Sequence, residues 1–164
     1  MTIRSLPLLA LHAGASALVL ALALAGPALA RDLPGAPVLS LQERLTQARS
    51  DIQAANWVLA LAGLLDAARD EPANADVHNL LGYSYRKQAK PDLPKAFEHY
   101  RLALRLDPTH RGAHEYIGEA YLMDGKPAEA RRHLAELERL CGNRTCEEYG
   151  DLAGAIDRYR APSR

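Results

Sequence analysis

Two cysteines, one tryptophan and one phenylalanine are present in a chain of 164 residues. With so few large aromatics the core must be built mainly from leucine, alanine, isoleucine and the seven tyrosines, and alanine and leucine favour helix. No strand-like alternation appears after residue 38. Charge of one sign is also missing. Twenty basic residues balance twenty acidic ones, so the chain has no electrostatic case for nucleic acid or an anionic membrane surface. The patterns that announce chemistry are missing as well. There is no H-E-x-x-H, no G-x-S-x-G around Ser84 and no phosphate-cradling glycine loop. The carboxylate pairs Glu115–Glu119 and Glu147–Glu148 have no partner base in view. No catalytic residue, cofactor or resident metal is expected, and an enzyme is not the expected class.

The longest uncharged stretch lies at the start. Arg4 is the only charge before Arg31, and the run from Ala15 to Ala25 is apolar. Gly26-Pro27 breaks that run, and Ala28-Leu29-Ala30 supplies the small-x-small pattern of a signal-peptide cleavage site. Residues 1–30 therefore read as a cleaved signal peptide, 31–40 as a leader segment, and the remainder as a soluble periplasmic chain. An uncleaved anchor is the rival, since roughly 20 apolar residues suffice to span a bilayer. Pro7, His12, Gly14 and Pro27 interrupt the stretch and weigh against it. Loss of residues 1–30 removes only Arg4 from the charge balance and leaves one net negative charge.

The rest of the chain repeats itself. Segments 41–74 and 111–144 are matched in length, and 75–110 is two residues longer through an insertion at Lys90-Pro91-Asp92-Leu93-Pro94. Each contains two helical patterns and a break. Leu81-Gly82 and Tyr85 recur as Ile117-Gly118 and Tyr121. The second helix of each segment carries Ala60, Ala96 or Ala130 and further apolar residues at spacings of three and four, one face of a helix. Pro72 and Pro108 close their units. Ser40-Leu-Gln-Glu43 and Thr145-Cys-Glu-Glu148 both have the form of a capping box that opens a helix. Asn56 can cap the second helix of the first unit, and Gly125 can close one helix before Pro127 opens the next.

This pattern resembles the tetratricopeptide repeat, a helix-turn-helix unit of about 34 residues. The expected fold is all-α, a right-handed α-solenoid of three such units (41–74, 75–110 and 111–144) with a capping helix and tail over 145–164. Small residues at Gly82 and Gly118 let the first helix of a unit approach the second. Residues Tyr149, Leu152, Ile156 and Tyr159 mark the capping helix that covers the last exposed face.

Cys141 and Cys146 are read in that setting. Haem attachment needs C-x-x-C-H, and a zinc site needs about four ligands. Neither is present. In an oxidising compartment a disulfide is the leading reading. Two reduced cysteines, or an exchange-active pair, are the alternatives. A continuous helix would hold the two about 7.5 Å apart along its axis, too far to bridge. Gly142-Asn143 must therefore break the helix. His110 and His114 stand four apart, a spacing that can bind metal on a helix. His78 occupies the same repeat position as His114, which favours packing against the preceding helix instead.

The resemblance implies a concave groove lined by the first helix of each unit and filled by a protein or an extended peptide. The groove residues it implies are Arg49 in the first unit, then Asn79, Tyr83, Arg86 and Lys87 in the second. In the third they are Tyr116, Glu119, Leu122 and Met123. Tyr and Arg are enriched anchors of binding surfaces, and Met adapts to varied partners. Tyr83 stands where the carboxylate-clamp members of the family need Asn, so capture of a C-terminal carboxylate is not implied. The implied function is an adaptor or scaffold. The alternative is a structural module whose units self-associate without a peptide ligand.

Overall fold

The computed structural model describes residues 39–159. The expected signal peptide, the expected leader up to residue 38 and the tail beyond 159 lie outside the described residues. The described part contains α-helices and no strand, in the order α1 (Leu41–Gln53), α2 (Trp57–Asp70), α3 (Ala75–Lys87), α4 (Leu93–Leu106), α5 (Arg111–Met123), α6 (Pro127–Cys141) and α7 (Glu147–Arg158). None of these helices is long and apolar enough to cross a membrane.

Local chemistry sets most of the helix starts. Ser40 accepts from the Glu43 amide while the Glu43 carboxylate takes the Ser40 amide, a complete capping box. Asn74 accepts from the Val77 amide, Asp92 from the Lys95 amide and His110, through Nδ1, from the Ala113 amide. The two-residue insertion is absorbed between α3 and α4, where the Asp92 amide donates to the Tyr85 carbonyl and Pro94 sits in the first turn of α4. Gly125 takes the left-handed conformation, with φ +72°, that frees the chain to turn from α5 into α6. Ala55 adopts φ +55° in the corresponding turn of the first unit, a conformation that disfavours a side chain.

Two local readings differ from the sequence expectation. Asn56 occupies the N-cap of α2 but makes no side-chain cap bond. Thr145 does not cap α7. Asn143 Oδ1 accepts from both the amide and the hydroxyl of Thr145, so the threonine is consumed in a local turn and Cys146 becomes the N-cap. Glu147 and Glu148 then lie in the first turn of α7, where the helix dipole favours negative charge.

The order of contacts gives the solenoid its curvature. Each helix packs on the next, and α1 touches α3, α3 touches α5 and α5 touches α7. The second helices of successive units, α2, α4 and α6, make no such mutual contact. A row whose first helices close up while its second helices spread is concave on the α1–α3–α5–α7 side. The core follows the same seam. One cluster joins Leu45, Ala48, Leu64, Ala67, Val77 and Leu81 across α1, α2 and α3. A second joins Ala96, Phe97, Tyr100, Ile117 and Ala120 across α4 and α5. Tyr85 packs against both.

Cys141 ends α6 and Cys146 caps α7, and they form a disulfide with Cα atoms 6.2 Å apart. Gly142, at φ +65°, supplies the break that allows it. The bridge fixes α7 against α5 and α6, both of which it contacts. Only a short loop is closed, so the double variant Cys141→Ser, Cys146→Ser is expected to lose about 1–3 kcal/mol. Faster amide exchange should appear only beyond residue 141. Thiol counting on the unreduced protein is the first check, and two free thiols per chain would contradict the bridge.

Candidate groove on the concave face

The concave side carries two clefts, and most of the sequence-proposed groove residues line them. The first, of about 210 Å³, is bounded by Arg49 and Ile52 of α1, Leu80 and Tyr83 of α3 and Tyr116 of α5. The second, of about 250 Å³, is bounded by Arg86, Glu119, Leu122, Met123 and the α7 residues Ala155 and Arg158. Lys87 is exposed at the edge, 5.8 Å from the Tyr83 ring centroid. Asn79 is buried and lines neither cleft.

Arg86 joins the two clefts. The Tyr83 and Tyr116 rings meet at 4.7 Å between centroids, and the Arg86 guanidinium lies 5.3 Å from one and 5.7 Å from the other. Its Nη2 pairs with Glu119 at 2.5 Å, and its Nε donates to the Tyr100 hydroxyl at 3.3 Å. Only 6% of Arg86 is exposed, so the guanidinium orients the rings from within. Burial opposes its charge, yet Tyr100 and Glu119 hold its pKa above the ordinary value. A cation beside two aromatic rings in a partly dry setting is worth about 0.5–2 kcal/mol.

Glu115 lies one turn before Glu119 and is more than nine-tenths buried. Burial, then the negative charges of Glu119, Asp151 and Glu148, push its carboxyl up to about 8, with Arg86 pulling the other way. At neutral pH it is therefore mostly protonated. Burial and Glu115 also push the Tyr116 hydroxyl up to about 12, so it stays a neutral donor in the groove.

Sequence reasoning misses several parts of this arrangement. It shows Glu115 only as half of a carboxylate pair, and the link from Tyr100 to Arg86 not at all. The signal for that link is weak, because Tyr100 reads as an apolar position of α4. Gly82 faces the Tyr100 ring of its own unit, as expected. Gly118 instead faces Leu152 of α7.

His110 caps α5 and meets Asp76 at 3.2 Å. His78 and His114 each meet the carbonyl of the proline that closes the preceding unit, Pro72 or Pro108, and a histidine on the second helix of their own unit, His99 or His133. The histidine partner thus lies on the following helix, and the hydrogen bond toward the preceding unit goes to its closing proline. Among the described residues one three-member donor group could approach a metal, Cys141, Cys146 and Glu148. Its two sulfurs are already bonded to each other.

No protein-family model matches the chain, and no curated protein sequence matches it. Solved structures do. The chain is similar to a point mutant of MamA (TM-score 0.53, 23% identity, 61% of this chain and 72% of that one). It is similar to the TPR2B domain of yeast Sti1, solved as a pHsp70 complex (0.63, 16%, 73% and 98%). It is also similar to the Yersinia enterocolitica type III secretion translocator chaperone SycD in an alternative dimer (0.62, 17%, 74% and 91%). At these identities the likeness concerns the fold, and the fold is the tetratricopeptide-type helical solenoid.

Proposed function

We propose that this chain is an exported adaptor that acts in the periplasm and receives an extended segment of a partner protein on its concave face. The observation that carries the reading is the Tyr83–Arg86–Tyr116 assembly between two clefts. Rigid aromatic rings held by a buried guanidinium provide contact area at low entropic cost, the usual composition of binding hot spots. Segments of extended chain can lie across such rings, with donors from Tyr116 and charge from Lys87 and Arg49 at the margins. The Sti1 domain was solved in complex with pHsp70, which supports a binding role for this kind of surface. Nothing in the groove pairs a nucleophile with a base, which favours binding over catalysis.

Export is checked by the intact mass of the cell-envelope protein, which should begin at Arg31. A full-length species in the membrane fraction would contradict it. Groove binding is checked by truncation. Tyr83→Ala and Tyr116→Ala should each weaken partner capture by about 10–100-fold, the range of a hot-spot anchor. Val58→Glu, on the far side of α2, should leave capture unchanged.

A second reading has its own observation. The outer face of α2 is apolar and open: Val58 is 82% exposed and Leu59 60%, with Leu39 and Leu65 beside them. A cleft of about 440 Å³ lies between Leu39, Ala48, Leu59 and Ala62. Contiguous exposed apolar surface marks an interaction site, and self-association through α2 would cover it. Under that reading Val58→Glu dissociates an oligomer in sedimentation, whereas the adaptor reading leaves the sedimentation profile unchanged.

A further inference from the structure

Glu115 has no partner. It is more than nine-tenths buried on α5, and among the described residues its carboxylate pairs with no cation and accepts no hydrogen bond. Two neighbouring cations are engaged elsewhere, Arg86 by Glu119 at 2.5 Å and Arg111 by Glu148 at 3.4 Å. A buried carboxyl crowded by other carboxylates does nothing to hold the helices together, and a residue kept against the interest of the fold is a candidate for function.

Helix register fixes its surroundings. Arg111 meets Glu148, and Gly118 faces Leu152, so α5 and α7 run side by side in the same direction. Glu115 lies between these two contacts on α5, and Asp151 lies between them on α7. One turn further on, Glu119 and Ala155 line the second cleft, so Glu115 and Asp151 face the same concave side. Asp151 is exposed, and among the described residues no cation pairs with it. Arg158 stands two turns beyond it, at the far end of that cleft. From the other flank, Asn79 of α3 lies against Gly112, one turn before Glu115, with its Nδ2 3.3 Å from where a Cβ would stand. Asn79 is also more than nine-tenths buried, and its Oδ1 accepts nothing. Two buried acceptors and one exposed carboxylate thus border a single stretch of the groove floor, and the described residues supply no donor for them.

We propose that this stretch is a subsite for a basic side chain of the bound segment, an arginine or lysine whose charge lies between Glu115 and Asp151 and whose N–H groups reach Asn79. The inference rests on the groove reading and names the chemistry of its occupant. A buried acceptor left without a donor costs free energy until one arrives. A metal ion does not fit, because no three of these carboxylates converge to ligating distance. A guanidinium or ammonium on a long stem spans wider gaps, and a guanidinium also stacks on a ring such as Tyr116, next to Glu115. The Glu115 carboxyl holds its proton in the free protein. A cation beside it favours the ionised form, and the proton passes to solvent. Arg49 and Lys87, toward α1 and α3, give the other end of the groove the opposite sign. The segment therefore has a direction, with its basic residue toward α7.

The test uses a random heptapeptide library selected on the full chain, keeping the binders that are lost on Tyr83→Ala. Each should hold arginine or lysine at one fixed position. One such peptide, and the same peptide with norleucine at that position, are titrated at pH 8.5, where Glu115 carries most of its charge. The proteins are the native chain and the double variant Glu115→Gln, Asp151→Asn, which keeps both side-chain shapes. Norleucine should weaken binding to the native chain by roughly 10-fold or more, and binding to the variant by little. Equal losses on the two proteins would overturn the proposal. Tyr83-dependent binders without a fixed basic residue would also overturn it and would leave the groove reading standing. A library that yields no Tyr83-dependent binder would remove the groove reading and this subsite with it.

Discussion

Gly82→Leu is expected to cost about 3 kcal/mol, at the upper end of the overpacking range, and to lower the thermal midpoint by roughly 10 °C. A Cβ at Gly82 would stand 2.6 Å from two atoms of the Tyr100 ring. That ring is fully buried, and its hydroxyl holds Arg86, so it cannot swing aside without disturbing the groove. Gly118 provides the control. There the Cβ would meet the methyl end of Leu152 at 2.6 Å, and Leu152, though also fully buried, presents the flexible end of a side chain that yields more cheaply than a ring. Alanine gains about 1 kcal/mol of helix propensity over glycine. Gly118→Ala should therefore be close to neutral, while Gly82→Ala should lose stability. Equal midpoints for the two alanine variants would mean that the seam between α3 and α4 is looser than described.

Glu115→Gln should stabilise the chain, and only at high pH. The folded carboxyl titrates at about 8 and the unfolded one near its ordinary 4.5. The folded state thus binds more protons between these values. Stability is full below about pH 4.5 and falls as pH rises through 8. The variant removes this penalty, so its advantage should be absent at pH 5 and reach about 1–3 kcal/mol at pH 9. That is well under the full linkage value, because Arg86 lies near and the groove admits water. Denaturant midpoints of both proteins at the two pH values decide it. An equal difference at pH 5 and pH 9 would assign the effect to packing rather than charge.

The legible part of this molecule is its period. Glycine, tyrosine, alanine and proline recurring at repeat spacing encode close helix pairs, because each type is required by backbone approach or by a chain break. The capping box at Ser40 is legible for the same reason: both partners lie within three residues. The identical motif at Thr145 misleads, since Asn143 competes for the same groups and that competition depends on the loop that Gly142 sets.

Contacts between helices are harder to see. His99 and His133 lie 21 and 19 residues after their partners, and the insertion before α4 offsets them by two. Once that insertion is set aside the two pairs fall in one register. The Arg86–Glu119 pair spans two units, and nothing local in the sequence marks it. The groove tyrosines are visible as candidates. Arg86 reads as one more groove-facing side chain, and its burial is decided by Tyr100 on another helix.

The central claim is that the concave face holds a partner protein, and photocrosslinking in the cell envelope tests it most directly. An aromatic photoprobe at Tyr83 keeps the ring in the first cleft, one at Met123 samples the second, and one at Arg101 sits on the exposed side of α4. The groove account predicts the same partner protein captured from Tyr83 and Met123, and none from Arg101. Adducts of two copies of this chain, formed from a probe at Val58 and absent from both groove positions, would contradict it and leave the exposed face of α2 as the working surface.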